Sequence, residues 1–375
     1  MTSAGISSFN TTMAAPVHAD MFTRLVALRC HFHEHPELRF QETATQTTFA
    51  LTSLTNPVSP RRTLPVAPAQ VRPLLLFASS CLSSAGLVVN VYGPTTTTTR
   101  DGLRCIAFCG DMDTLPITER NPSLAYASRI GGAAHMCGHD GHMTLLAGFA
   151  CFLQRAALAN TCVRLLFQPA EEGHFGAVQM IKDRCIDGVD ELYGYHNAPF
   201  SLGSVHDKPG AIMSHGSKFT ISVNVPGGYS SAPHQTAVTR SSPLGTIVVA
   251  LQSIASRNVA AAESAIISIG TIHGGEADSA IPSTMRMTGT GVSEAGLPLC
   301  ASEDFSYYLQ QHPGCFFMLG TVEVGEAQNR QLHSDTFDFN DKVLPLAVRL
   351  FLEIAQHRLA CELFSPVEMA AIYTP

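Results

Sequence analysis

No basic run appears anywhere in the 375-residue chain, and its formal net charge is −7. The electrostatic footprint of a nucleic-acid partner is therefore absent, and that partner is excluded. The apolar stretch Leu74-Leu75-Leu76-Phe77-Ala78 is far too short to span a bilayer, so no membrane partner is expected. The eleven cysteines are an odd number and lack the spacing of a disulfide framework. No secretory pattern opens the chain. Together these point to a reducing, cytoplasmic setting. Residues 1–19 are rich in Ser, Thr and Ala and nearly free of charge, and are expected to form a loose leader.

What the chain does have is apolar content and length. Hydrophobic residues make up 45% of it, enough for sizeable cores, and 375 residues suggest two domains. Short apolar runs bounded by Gly or Pro read as buried strands: Cys105–Phe108, Val163–Phe167 and Leu192–Tyr195. A helical pattern lies between them, with Leu145, Leu146, Phe149, Phe152 and Leu153 on one face, and a second helix is expected over 176–182. Strands alternating with helices predict βαβ units and a parallel sheet. Residues 214–293 change character. Phe219, Ile221, Val223 and Val225 alternate with polar residues, a helix is expected around 244–256, and strands over 265–272 and 284–290. That order is β-α-β-β. Phe316–Leu319 then reads as a strand and 343–354 as a closing helix.

Just past the apolar runs stand residues of types that can bind metal. They are Asp111 and Asp113, Cys137 and His139, Glu171-Glu172 and His196, with His333 far downstream. Ligands bind outside the carboxyl ends of strands in open α/β sheets. A thiolate, imidazoles and carboxylates gathered there suit zinc or manganese. Of two adjacent glutamates, one can serve the metal and the other a proton. Each motif alone has a plainer reading. An isolated Cys-Gly-His is more often a buried thiol beside a satisfied imidazole. Glu171-Glu172 alone reads as an acidic pair at a helix start. Asp111 and Asp113 alone read as turn residues.

The motifs taken in order resemble the M20 metallopeptidases, in the branch of N-acyl-amino-acid amidohydrolases that includes hippurate hydrolases and plant auxin-conjugate hydrolases. The resemblance rests on Arg29-x-His31-x-His33-x-His35-Pro36-Glu37-Leu38 with Glu42 and Thr45, on Asp111–Ile117 and on His135–His142. It continues through Phe167–Gly173, His196-x-x-Pro199, Ser302–Phe305, Pro313-Gly314 and Leu332–Ser334. It implies a two-domain α/β fold: a zinc-peptidase-like catalytic domain over 20–212 and 294–375, and an inserted α+β, ferredoxin-like lid and dimerisation domain over 213–293. It also implies one or two ions, Mn2+ or Zn2+, held by Cys137, His139, Glu172, His196 and His333. Glu171 becomes the proton carrier, and Asp113 the carboxylate that orients a ligand histidine. The implied substrate is a small N-acyl-amino acid, and the implied assembly a homodimer through the lid. His31, His33 and His35 are read as structural or peripheral.

The chain departs from the family pattern in its lid. An expected Gly-Gly-His turn reads Gly227-Gly228-Tyr229, an asparagine is replaced at Ser279, and an arginine at Val292. Tyr229, Ser279 and His234 are the candidate substrate contacts. The last helix and strand of the lid are missing, which implies uncovered apolar surface on its sheet, an unpaired edge and weak turnover. Residues 55–80, with Pro57, Pro60, Pro65, Pro68 and Pro73, look like an inserted irregular excursion.

Overall fold

The computed structural model describes residues 15–52, 76–79, 86–92, 103–153, 156, 161–232, 242–260, 265–293, 301–325 and 331–372. In chain order the elements are α1 Ala15–Glu34, α2 Thr43–Thr52, β1 Leu76–Ser79, β2 Leu87–Tyr92, β3 Arg104–Asp111, α3 His139–Leu153, β4 Thr161–Gln168, the single turn α4 Glu171–His174, α5 Gly176–Lys182, β5 Glu191–Ser201 and β6 Val205–His206. They continue with β7 His215–Asn224, β8 Gly228–Tyr229, α6 Ser242–Ser253, β9 Ala265–Gly274, β10 Ala280–Ile281, β11 Thr284–Ser293, α7 Ser306–Leu309, β12 Gly314–Val322, α8 Val343–Arg358 and α9 Pro366–Ile372. They divide into two compact units, one of residues 1–207 with 304–375 and one of 208–303. The second unit reaches beyond the 213–293 read from the sequence. Within it, the Ser214 N–H bonds to Ala301 O at 2.8 Å, past the end of β11.

The first unit is built on a seven-stranded sheet in the order β1-β2-β4-β3-β5-β12-β6. Its centre, β4-β3-β5-β12, is parallel, whereas β1, β2 and β6 join antiparallel, so the sheet is mixed rather than purely parallel. β4 is buried along its whole length and β3 from Cys105 onward, as strands covered on both faces are. α3 is buried all round, not only on the Leu145–Phe149 face. Its other sides are covered by α1 and α8 as well as by β3. Phe108, Phe149 and Phe351 stack where sheet, α3 and α8 meet, with Phe108 4.7 Å from each of the other two rings. Gly110 lets the start of α3 approach the end of β3, since a Cβ there would sit 3.1 Å from the His142 carbonyl oxygen.

Three sequence expectations shift. His196 lies inside β5 and not at a strand end, because pairing with β12 carries that strand through Met318↔His196 and on to Val322↔Ser201. α1 begins at Ala15, inside the stretch read as a leader, with Pro16 in its first turn where a missing N–H costs nothing. Leu76–Ser79, inside the expected irregular excursion, pairs with β2 as a strand, and most of the rest of that excursion lies outside the described residues. The helix expected over 176–182 is α5.

The second unit holds a three-stranded antiparallel sheet in the order β7-β11-β9, with α6 on one face. Register aligns Val223 with Met285, and Ile221 with Met287 and Ile272. Leu244, Ile247, Val248 and Leu251 of α6 pack on that face. The opposite face presents Ser222, Arg286 and His273, then Thr220, Thr288 and Thr271. That stretch is polar, although Ile266, paired with Val292 further along, is 44% exposed; on the α6 face itself Ile272 of edge strand β9 is 55% exposed, a patch of the expected uncovered apolar surface. Among the described residues no helix is long and apolar enough to cross a membrane.

Candidate metal centre

The end of β3 and the start of α3 set the first donors. Asp113, 1% exposed, follows β3, and its backbone oxygen accepts the His139 Nδ1–H at 3.0 Å. Its carboxylate Oδ1 lies 3.3 Å from the same nitrogen. With Nδ1 turned to Asp113, Nε2 is the ring atom left to face an ion, and it is buried with no hydrogen-bond partner among the described residues. Gly138, between Cys137 and His139, holds φ +97, and a Cβ there would come within 2.5 Å of Asn197 Oδ1. Only glycine fits this backbone.

The other donors converge from three further elements. Cys137 Sγ lies 3.3 Å from His196 Nε2, and the His196 Nδ1–H donates to the Asn197 backbone oxygen at 2.6 Å. Cys137 Sγ also lies 3.3 Å from His333 Nε2, which in turn lies 3.2 Å from Glu172 Oε1. His333 is held at φ 63, an uncommon conformation for a non-glycine residue. One donor atom each from Cys137, His139 and His196 fall within 4.8 Å of one another, and so do those of Cys137, Glu172 and His333. Cys137 is shared by both groups. A third group, His139, Glu171 and Glu172, meets the same limit. Thus the structure brings together Cys137, His139, Glu171, Glu172, His196 and His333, with Asp113 behind His139.

Charge in the cluster is balanced by protons. Burial would push the Cys137 thiol up, but the surrounding imidazoles hold it well below its usual value. Burial likewise opposes protonation of His139, yet Cys137 and Asp113 raise it well above the usual range. Burial lowers and Cys137 with Glu172 raise His333, to about 11, while Glu172 is brought down to about 2 by His333 against its own burial. A thiolate and a carboxylate so placed call for positive charge, which a divalent ion supplies in place of the protons. A set of sulfur, imidazole nitrogen and carboxylate oxygen, with the unpartnered His139 Nε2 among them, fits a divalent transition-metal ion.

Other sequence-predicted residues fall elsewhere. Asp111 closes β3 and meets His142 Nδ1 at 3.1 Å, and His142 Nε2 lies 2.6 Å from Asn197 Oδ1. Both ring nitrogens of His142 are thus engaged, and this pair braces the cluster. Tyr229 and Ser279 both fall in the second unit, where β8 pairs with β10 through Tyr229↔Ala280 and the Ser230 N–H reaches Ser279 O at 3.1 Å. Tyr229 is 62% exposed. His234 lies outside the described residues. His31 and His35 stack on each other at 4.6 Å. His33 differs from them: it is buried, with Nδ1 2.9 Å from Asp140 and Nε2 3.3 Å from Glu119. Buried Arg29 adds a 3.1 Å bond to Asp140, the residue after His139, and bonds Asp341 at 2.6 Å. The motif residues Arg29 and His33 therefore anchor the start of α3, a role their position in α1 did not disclose.

Residues 107–357 match the model of peptidase family M20/M25/M40. The chain is similar to the N-acetyl-L-cysteine deacetylase of Bacillus subtilis (strain 168), at 35% identity over 271 residues, 71% of this chain and 58% of that protein. It is also similar to a second protein of that strain, an N-acetylcysteine deacetylase, at 32% identity over 395 residues, 89% of this chain and 96% of that protein. In fold it matches a dinuclear metal-binding M20 peptidase from Bacillus subtilis with a TM-score of 0.63 and 23% identity, over 91% of this chain and 99% of that one.

Proposed function

The chain belongs to peptidase family M20/M25/M40, and on that premise we propose that it hydrolyses the amide bond of small N-acyl-amino acids at the cluster around Cys137. The observation that carries this reading is the buried, unpartnered His139 Nε2 beside Cys137, His196 and the two glutamates. Cys137, His139, Glu172, His196 and His333 would hold one or two ions, Mn2+ or Zn2+. When bound, such an ion polarises an amide carbonyl and acidifies a water.

The rest is done by the chain. Asp113 fixes the tautomer and the ring direction of His139, so that Nε2 stays a donor atom. Glu171, half-buried beside His139, takes the proton from the attacking water and delivers it to the nitrogen of the departing amino acid. That transfer leaves a free carboxylic acid and a free amine. None of the nine described cysteines is in a disulfide, which is in keeping with placement in the reducing cytoplasm.

The test is turnover by the full chain loaded with Mn2+ or Zn2+ on N-acetyl-L-cysteine, benzoylglycine and an unblocked dipeptide. Hydrolysis of the acylated substrates, with the dipeptide left intact, is the expected result. Preference for the dipeptide assigns the chain to peptidase chemistry instead. A loaded protein that cleaves none of the three is a metal-binding protein without this activity.

A further inference from the structure

The turn that carries Glu171 and Glu172 is held in a conformation its own residues do not favour. Ala170 sits at φ 54, ψ 36. The left-handed region is unfavourable for an ordinary residue, and alanine has no polar side chain with which to offset that locally. Such a conformation persists only when its surroundings over-determine it.

The surroundings are two buried carboxyl groups from distant parts of the chain. Glu42, at the residue before α2, is 0% exposed, and its Oε1 accepts the Ala170 N–H at 3.0 Å. Asp113 Oδ2 accepts the Glu172 N–H at 3.0 Å. The Ala170 carbonyl is fixed in turn by the Gly176 N–H at 3.2 Å. The turn is thus gripped at residue 170 and at residue 172, on either side of Glu171. The other oxygen of Glu42, Oε2, is buried and has no hydrogen-bond partner among the described residues.

We propose that Glu42 is a positioning residue: by holding the Ala170 amide it keeps the left-handed turn that aims Glu171 and Glu172 at the donors around Cys137. The proposal rests on the reading of those donors as a metal centre. Asp113 and Glu42 divide the work between them. Asp113 serves both the turn, through the Glu172 N–H, and the His139 imidazole, 3.3 Å from its Oδ1. Glu42 touches no proposed ligand side chain in the described contacts; besides the Ala170 amide it meets only backbone of its own segment, at Phe40 and Glu42. Burial, with a further push from the charge of Asp113, lifts Glu42 to about 8 against the hydrogen bonds it accepts, so a neutral carboxyl is favoured there. A glutamine is therefore close to isosteric and isoelectric with it, and keeps the acceptor.

The experiment compares the full chain with Glu42→Gln, Glu42→Ala and Glu42→Asp. It reads Mn2+ affinity by chelator competition and hydrogen exchange of the Ala170 amide, with thermal unfolding as a control. Removing a group that orients a ligand typically costs about 10–100-fold in metal affinity. Glu42→Ala is expected to lose affinity in that range and to expose the Ala170 amide. Glu42→Asp, one methylene shorter, is expected to do the same, and it serves if the alanine variant does not fold. Glu42→Gln is expected to keep both readings at the parent value, and kcat is expected to follow the same order while KM stays level. Parent-like affinity and exchange in Glu42→Ala overturns the proposal, and so does a glutamine variant that falls as far as the alanine one. Neither primary reading needs turnover. A parent chain that binds Mn2+ without hydrolysing substrate sinks the amidohydrolase reading and leaves Glu42 to be judged on affinity and exchange.

Discussion

Glu171 and Glu172 are adjacent, yet their surroundings set them apart. Glu172 lies 3.2 Å from His333, which holds its carboxyl at about 2 against its burial, as suits a ligand. Glu171→Gln is expected to keep its metal and lose turnover by about 10²–10⁴-fold, because an amide carries no proton. Glu172→Gln is expected to lose metal, since a neutral oxygen is the poorer ligand. Metal analysis beside kcat separates the two, and parent-rate turnover by Glu171→Gln removes it from the proton-carrying role. His33 gives a prediction of a different kind. Burial alone would lower it, but hydrogen bonds to Asp140 and Glu119 raise it to about 9, above the ordinary value of about 6.5. A folded-state value above the unfolded one contributes stability that is complete below about pH 6.5 and is lost as pH rises through about 9. His33→Leu is expected to cost about 1–3 kcal/mol near neutral pH, by leaving two buried carboxylates each short of a donor, and to flatten the fall in Tm between pH 6.5 and 9.5. An unchanged slope in the variant would show that His33 is not charged in the fold.

At the scale of elements, most of what matters to the site was legible. Apolar runs ending in Asp, Gln-Pro-Ala-Glu and a Gly-bounded histidine marked the central strands, because strands buried on both faces read as continuous apolar runs. What was not legible came from partners distant in sequence. The burial of α3 on every side depends on α1 and α8, and a stripe at helical spacing shows only the face it fills. His196 is interior to β5 because of β12, more than a hundred residues later in the chain. The pairing of Glu42 with Ala170 spans a separation of 128 residues and leaves no local pattern. In the second unit the period-two alternation of β7 was readable, but the polar nature of the outer face appears only once Arg286 is set beside Ser222 and His273 by register. That sheet relies on few buried residues: Leu244, Met285 and Met287 form its core, and Met287 is 0% exposed. Met287→Ala is expected to cost about 2–5 kcal/mol. The loss is expected as early unfolding and faster amide exchange within 208–303, with residues of the seven-stranded sheet unaffected. Uniform destabilisation of both units would contradict that independence.

At the scale of the whole molecule, one unit carries the candidate metal centre, assembled from five separate segments and anchored by buried pairs such as Arg29–Asp140 and His142–Asp111. On the proposed function, these segments meet to hold an ion through Cys137. X-ray absorption at the zinc edge of the zinc-loaded full chain tests it most directly, because sulfur and nitrogen or oxygen scatterers separate by distance. A sulfur scatterer at about 2.3 Å beside nitrogen and oxygen at about 2.0–2.2 Å is expected, with the sulfur signal gone in Cys137→Ala. A shell of nitrogen and oxygen alone in the parent chain, or a sulfur signal that survives Cys137→Ala, would contradict it.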